Sequence, residues 1–323
     1  MCFFCYIWVL NSLKSSIRGQ ELGREVMFSG AMTALVTPFK GGLIDEKAFE
    51  NLVDWQINEG IHGLVIAGTT GEAPTISVEE QSRLFEIAVS VSNSRVPIIA
   101  GCGSNNTATA SHLAKQAKKA NVDGLLLTVP YYNKPNQLGI YTHFDVVSQL
   151  TDLPIIMYNI PGRTAVDMEI ETMAELYNNC PTIVGVKDAT GDLSRVPLQR
   201  GTMGADFCQL SGEDITSVGF NAMGGVGCIS VTSNVAPKLF ATMQNHCLAG
   251  EYAAALALQD RLLSLFGTLF VESNPVPAKF ALSMLGLCED EVRMPLVPLS
   301  DASKALVASA LSDVGIGPIT LKE

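Results

Sequence analysis

An α/β barrel is the fold this sequence predicts, and three observations carry that expectation. Short apolar runs recur eight times from Met32 onward. Each is followed by a turn rich in Gly, Thr or Pro. Between them lie stretches with the apolar spacing of amphipathic helices. Near-continuous apolar strands alternating with helices describe a parallel sheet covered on both sides. Eight such units within roughly 200 residues fit a (β/α)8 barrel, which commonly needs about 250.

The expected strands are Met32–Val36, Gly63–Ala67, Val96–Ala100, Gly124–Val129, Pro154–Tyr158, Ile183–Lys187, Phe207–Leu210 and Gly225–Val231. Helical spacing fills Glu46–Glu59, Val78–Val91, Thr107–Ala120, Gly139–Leu150 and Glu169–Leu176. Two of these carry start signals. Asp45 precedes Glu46, and Ser77 with Glu80 forms the Ser-x-x-Glu pattern of a capping box. A doubly wound open sheet is the competing fold. It is disfavoured because no Gly-x-Gly-x-x-Gly opens the first unit, and Gly101-Cys102-Gly103 has Asn106 where the third glycine belongs. Beyond Val231 the strand pattern stops. Lys238–Cys247, Tyr252–Phe266, Pro277–Leu285 and Ala302–Leu311 read as helices. The expected organisation is a catalytic barrel over residues 27–233 and a C-terminal helical region over 234–323.

Residues 1–26 do not resemble the rest. Cys2–Leu10 is apolar but shorter than the about 20 residues that span a bilayer. It lacks the basic start and small-residue cleavage site of a secretory signal. The expectation is a disordered or non-native extension ahead of Met27.

Composition narrows the partners. Hydrophobic residues make up 47% and charged residues 16%, as in a protein with a large buried core. Acidic residues outnumber basic ones 32 to 21, for a net charge of −11 with no basic run. That argues against nucleic acid or an anionic membrane as a partner. Eight scattered cysteines, mostly in apolar segments, fit small hydrophobes in a reducing cytoplasm. Cys2-Phe-Phe-Cys5 has no second pair, which leaves a zinc or redox reading weak. No metal site or cofactor is expected.

In a parallel barrel the active site lies at the C-terminal strand ends. Reading those ends gives Gly68-Thr69-Thr70-Gly71-Glu72, Pro130-Tyr131-Tyr132-Asn133, Tyr158 with Arg163-Thr164, Lys187, and Ile229-Ser230. Each has a bland alternative. Lys187 could be a strand-end cation snorkelling to solvent. Buried, it would favour the neutral amine, a nucleophile toward carbonyls. The Gly68–Gly71 turn could be an ordinary βα loop or a carboxylate cradle built from backbone amides. Tyr158 could be a core tyrosine, Tyr131-Tyr132 an aromatic loop against a neighbouring subunit, and Glu72 a structural acid. Arg163, after Pro-Gly at a strand end, suits bidentate carboxylate binding. Together Lys187, Tyr158 and Thr69-Thr70 supply an amine, a proton shuttle and acid-binding groups. His62, His112, His143 and His246 all fall away from strand ends, so proton transfer falls to hydroxyls.

These segments carry a resemblance. Gly-Thr-Thr-Gly-Glu at 68–72, Pro-Tyr-Tyr-Asn at 130–133, Tyr-Asn-Ile-Pro-Gly-Arg-Thr at 158–164, Gly-Val-Lys-Asp-Ala-Thr-Gly at 185–191, Leu-Ser-Gly-Glu-Asp at 210–214 and Asn274-Pro-Val-Pro277 appear in order. From about Met27 to its C-terminus the chain resembles the dihydrodipicolinate synthases. These are pyruvate-dependent class I aldolases, a group that includes N-acetylneuraminate lyase. The resemblance implies a lyase of lysine and diaminopimelate biosynthesis, usually a homotetramer built as a dimer of dimers. Lys187 would form an imine with pyruvate, and its enamine would attack L-aspartate 4-semialdehyde to give 4-hydroxy-tetrahydrodipicolinate. Tyr158 would donate and accept protons. Thr69 and Tyr132 would complete a relay, with Tyr132 reaching in from a partner subunit. Thr70 and Ile229 would contact pyruvate, and Arg163 would take the semialdehyde's carboxylate. The alternative is a pyruvate-releasing lyase acting on a sialic acid or a 2-keto-3-deoxy sugar acid. The resemblance also departs at one place. Lysine-inhibited members use histidines and a glutamate where this chain has Val78, Gln81 and Thr109, so weak or absent lysine inhibition is expected.

Overall fold

The computed structural model describes residues 28–319; the expected N-terminal extension lies outside them. Eight parallel strands close into a barrel: β1 (Gly30–Ala34), β4 (Gly63–Ile66), β5 (Ile98–Gly101), β6 (Gly124–Thr128), β7 (Ile155–Asn159), β8 (Ile183–Asp188), β9 (Cys208–Ser211) and β10 (Gly227–Ser230). Each pairs with its sequence neighbour, and β10 returns to β1. A small antiparallel hairpin, β2 (Phe39–Lys40) with β3 (Leu43–Ile44), sits between β1 and the first helix. All eight expected strands are present, each with one or both ends shifted by one or two residues.

The helices around the barrel are α1 (Glu46–Asn58), α2 (Val78–Ser92), α3 (Thr107–Lys119), α4 (Gln137–Ser148), α5 (Pro161–Thr164), α6 (Ile170–Asn179), α7 (Arg195–Met203), α8 (Ser217–Ala222) and α9 (Pro237–Leu248). Their starts obey the expected chemistry. Asp45 accepts from the Ala48 amide, and Ser77 and Glu80 exchange both bonds of a capping box. Helices α5, α7 and α8 escaped the sequence reading. The first has four residues, the second contains Pro197 and Gly201, and the third has six residues with Gly219 inside, so none shows a sustained apolar stripe. After α9 come α10 (Tyr252–Thr268), α11 (Val276–Met284) and α12 (Asp301–Asp313), packed on one another and, through α11, on the turn after β10. Among the described residues no helix is long and apolar enough to cross a membrane.

Two apolar layers result. Outward strand residues such as Leu64, Leu125, Met157 and Val186 pack with the helices. Inward residues, including Met32, Val65, Ile99, Leu126, Ile156, Leu210 and Ile229, fill the barrel, and Phe28 joins them below. The strand-end groups therefore stand on a dry, filled floor.

Candidate active site

The site begins with a local irregularity in β8. Ile155 pairs with Ile183, yet Ile156 pairs with Gly185, so β8 carries one extra residue at this point. Side chains alternate along a strand, and the insertion changes which face each later residue takes. Lys187, not Val186, consequently lies opposite Tyr158 on the interior side. Gly185 has no room for a side chain: a Cβ there would collide with the carbonyl of Cys208 on β9. Gly212 is similar, because its Cβ would stand 3.1 Å from Lys187 Cε and 2.6 Å from Ala189 Cβ.

Lys187 and Tyr158 are both buried, at 6% and 5% exposure. Lys187 Nζ lies 4.2 Å from the centre of the Tyr158 ring. Next to Lys187, Asp188 accepts from the Thr190 amide and hydroxyl, Arg195 Nε at 2.9 Å and Gln199 Nε2 at 2.7 Å. Those bonds fix the end of β8 and leave Asp188 occupied, so Lys187 has no carboxylate from its neighbour in sequence.

A cavity of about 430 Å3 opens above this pair. Thr69, Tyr158 and Arg163 share its wall, with Leu126 and Thr128 from β6 and Tyr131 from the following loop. Lys187 lies under the tyrosine ring, outside that wall. Thr70 is buried, and its Oγ1 accepts a hydrogen bond from Asn274 Nδ2 at 2.9 Å. The acceptor role leaves the Thr70 proton free to donate to an anion. Ile229 is buried in the barrel interior at the end of β10. Arg163, on α5, is exposed and forms part of the cavity wall.

Tyr132 is not gathered with the others. It is 89% exposed, on a turn where its φ is +72°. It is not part of the cavity wall; its neighbour Tyr131 is. The same cavity continues past Ser104 to Val78, Gln81 and Thr109, the positions singled out for lysine inhibition.

Two nearby groups were not expected as site residues. Asn274 was noticed only as part of a motif, yet it holds Thr70 from the far end of the chain. Glu213, half-buried after β9, has its carboxyl pushed up by burial first and by Asp214 second. Lys187 and Arg163 pull it back, which places it in the field of both cations. Its spacing from Lys187 in sequence gave no signal, because the two strand ends meet only through the β8–β9 pairing across an intervening helix. Glu72, expected to be structural, is buried and ion-paired with Lys279 at 2.8 Å.

A buried lysine against a tyrosine at adjacent strand ends, with hydroxyls and an arginine around one cavity, suits imine chemistry on a small keto acid. Residues 27–314 match the model of the dihydrodipicolinate synthetase family. A 4-hydroxy-tetrahydrodipicolinate synthase of Parvibaculum lavamentivorans is 55% identical over 290 residues, covering 90% of this chain and 99% of its own. That of Brucella suis is 53% identical over 291 residues, with the same coverages of 90% and 99%. Among solved structures, dihydrodipicolinate synthase from Aquifex aeolicus superposes with a TM-score of 0.89 at 39% identity, covering 91% of this chain and all of that one. The chloride-inhibited enzyme from Acinetobacter baumannii, solved with pyruvate, gives 0.87 at 41% identity and covers 89% of this chain and 99% of its own. By sequence and by fold, the chain belongs to the dihydrodipicolinate synthetase family.

Proposed function

We propose that this chain, a lyase, condenses pyruvate with L-aspartate 4-semialdehyde on Lys187 to give 4-hydroxy-tetrahydrodipicolinate. The observation that carries the reading is the buried Lys187–Tyr158 contact at the strand ends. In this reading the Lys187 amine adds to the keto carbon of pyruvate, and water leaves to form an imine. A methyl proton is then lost, giving an enamine whose carbon attacks the aldehyde. The new alkoxide takes a proton, and the semialdehyde's own amine attacks the imine carbon. That step closes the ring and releases the lysine.

Tyr158 passes protons to and from the Lys187 adduct, a role its ring contact with Lys187 supports, and Thr69 on the same cavity wall extends the relay. Thr70, with its free proton, and Ile229, on the barrel floor, suit pyruvate's carboxylate and methyl group. Arg163 on the cavity wall suits the second carboxylate. Tyr132, held out on its turn, reaches the relay of a neighbouring subunit, so the working unit is a dimer and two dimers form the tetramer. The catalytic barrel, expected over residues 27–233, takes in α9 as its last surrounding helix, and α10–α12 make up the helical region. The six described cysteines are free thiols, in keeping with a cytoplasmic enzyme.

The test is a pair of steady-state assays. Condensation of pyruvate with the semialdehyde should proceed, while cleavage of sialic acid or of 2-keto-3-deoxy sugar acids should be slower by orders of magnitude. The reverse ranking would remove this assignment. Lysine at micromolar concentration should leave the rate unchanged, since Val78, Gln81 and Thr109 give its ammonium groups no charged partner.

A further inference from the structure

The Gly68–Glu72 turn, which carries Thr69 and Thr70, is held by groups more than 200 residues away. Glu72 is 2% exposed and stands at φ +58°, a left-handed conformation that side chains other than glycine's rarely adopt. Its carboxylate explains how this is maintained. Oε1 takes the Lys279 ammonium at 2.8 Å, and Oε2 takes the backbone N–H of Arg293 at 3.0 Å. Lys279 is fully buried, and burial pushes its ammonium down from the usual value while Glu72 opposes the shift. The Arg293 guanidinium clasps Glu80 through both terminal nitrogens at 2.8 and 2.6 Å and also reaches the Thr75 carbonyl. Phe39 is wedged between the two cations, with Lys279 Nζ 4.1 Å and Arg293 Cζ 4.3 Å from its ring centre. Asn274, five residues before Lys279, completes the grip by donating to Thr70.

Stability is a poor reason to keep such a pair. Removing two charges from water is costly, and apolar groups of the same volume often serve a fold equally well or better. An ion pair is directional, however, and can fix the register of one element against another. Here it fixes a strained turn. We propose that Glu72, Lys279 and Arg293 are positioning residues, through which the C-terminal helical region sets the Thr69–Thr70 turn for pyruvate. None of them lines the cavity. The inference rests on the reaction proposed above.

The decisive variant is the double substitution Glu72→Gln/Lys279→Met, which removes both charges and leaves neither one buried alone. Its thermal midpoint should return close to wild type, above that of Lys279→Met alone. The KM for pyruvate should nonetheless rise about ten-fold or more, as expected when a binding turn is displaced by about an ångström. The KM for the semialdehyde should hold, because Arg163 lies on α5, outside this grip. Should the double variant fail to fold, the same comparison is made on Arg293→Gln, a partly exposed position. A folded variant with wild-type KM for pyruvate overturns the proposal, and so does an equal rise in both KM values. Wild-type enzyme is treated in parallel with pyruvate and borohydride. Absence of an adduct there indicts the underlying reaction, not the positioning.

Discussion

Lys187 faces the barrel interior only because one residue is added to β8 ahead of it. Its place at the end of an apolar run was visible in the sequence, and so was the hydroxyl chemistry at the neighbouring strand ends. The insertion was not, since Ile183–Lys187 reads as an uninterrupted strand and a shift of one residue leaves no compositional mark. The Asn274–Thr70 bond was equally hidden, because two uncharged side chains 204 positions apart carry no pairing signal. At this scale Tyr158→Phe keeps the ring that covers Lys187 and removes only the hydroxyl. Its kcat should fall about 10²–10⁴-fold, the usual worth of a positioned acid–base group. The variant should keep its thermal stability, and unchanged kcat would show that the tyrosine is only a cover.

Elements were legible where a period or a cap repeated. Ser77 and Glu80 form the box their spacing predicts, and all eight strands followed from apolar runs bounded by turn residues. Short or interrupted helices such as α7 and α8 were not, because tertiary packing and not their own pattern keeps them helical. One helix pair yields a pH prediction. His143 on α4 is buried and bonded through Nδ1 to Thr107 on α3 at 3.0 Å, while its Nε2 has no hydrogen-bond partner among the described residues. Burial holds its pKa down at about 4, against 6.5 when exposed. Below pH 6.5 the unfolded chain therefore binds a proton that the folded chain refuses. Stability from this group is complete above that pH and drains as pH falls toward 4. Denaturant unfolding should register a loss of about 2 kcal/mol between pH 7 and pH 5 from this residue. His143→Gln should flatten that slope; an unaltered slope would place its origin elsewhere.

On the scale of the whole molecule, a chain of net charge −11 handles two carboxylate substrates. In the proposed reading it does so locally, through Arg163 on the cavity wall and Lys187 beneath Tyr158, so that attraction acts at short range against the overall field. Tyr132, exposed in one chain, ties the proposed relay to assembly. In a two-fold dimer each site would borrow this residue from its partner. Lys187→Ala and Tyr132→Phe should each be inactive alone. Mixed and allowed to exchange subunits, they should regain measurable condensation, because one heterodimer site then has both native groups. No recovery after confirmed exchange would confine the relay to a single chain. The central claim meets its most direct test in one experiment: borohydride reduction of the enzyme with pyruvate, followed by peptide mapping. A single pyruvate-derived adduct on Lys187 is the expected result; no adduct, or one on another lysine such as Lys279, would contradict it.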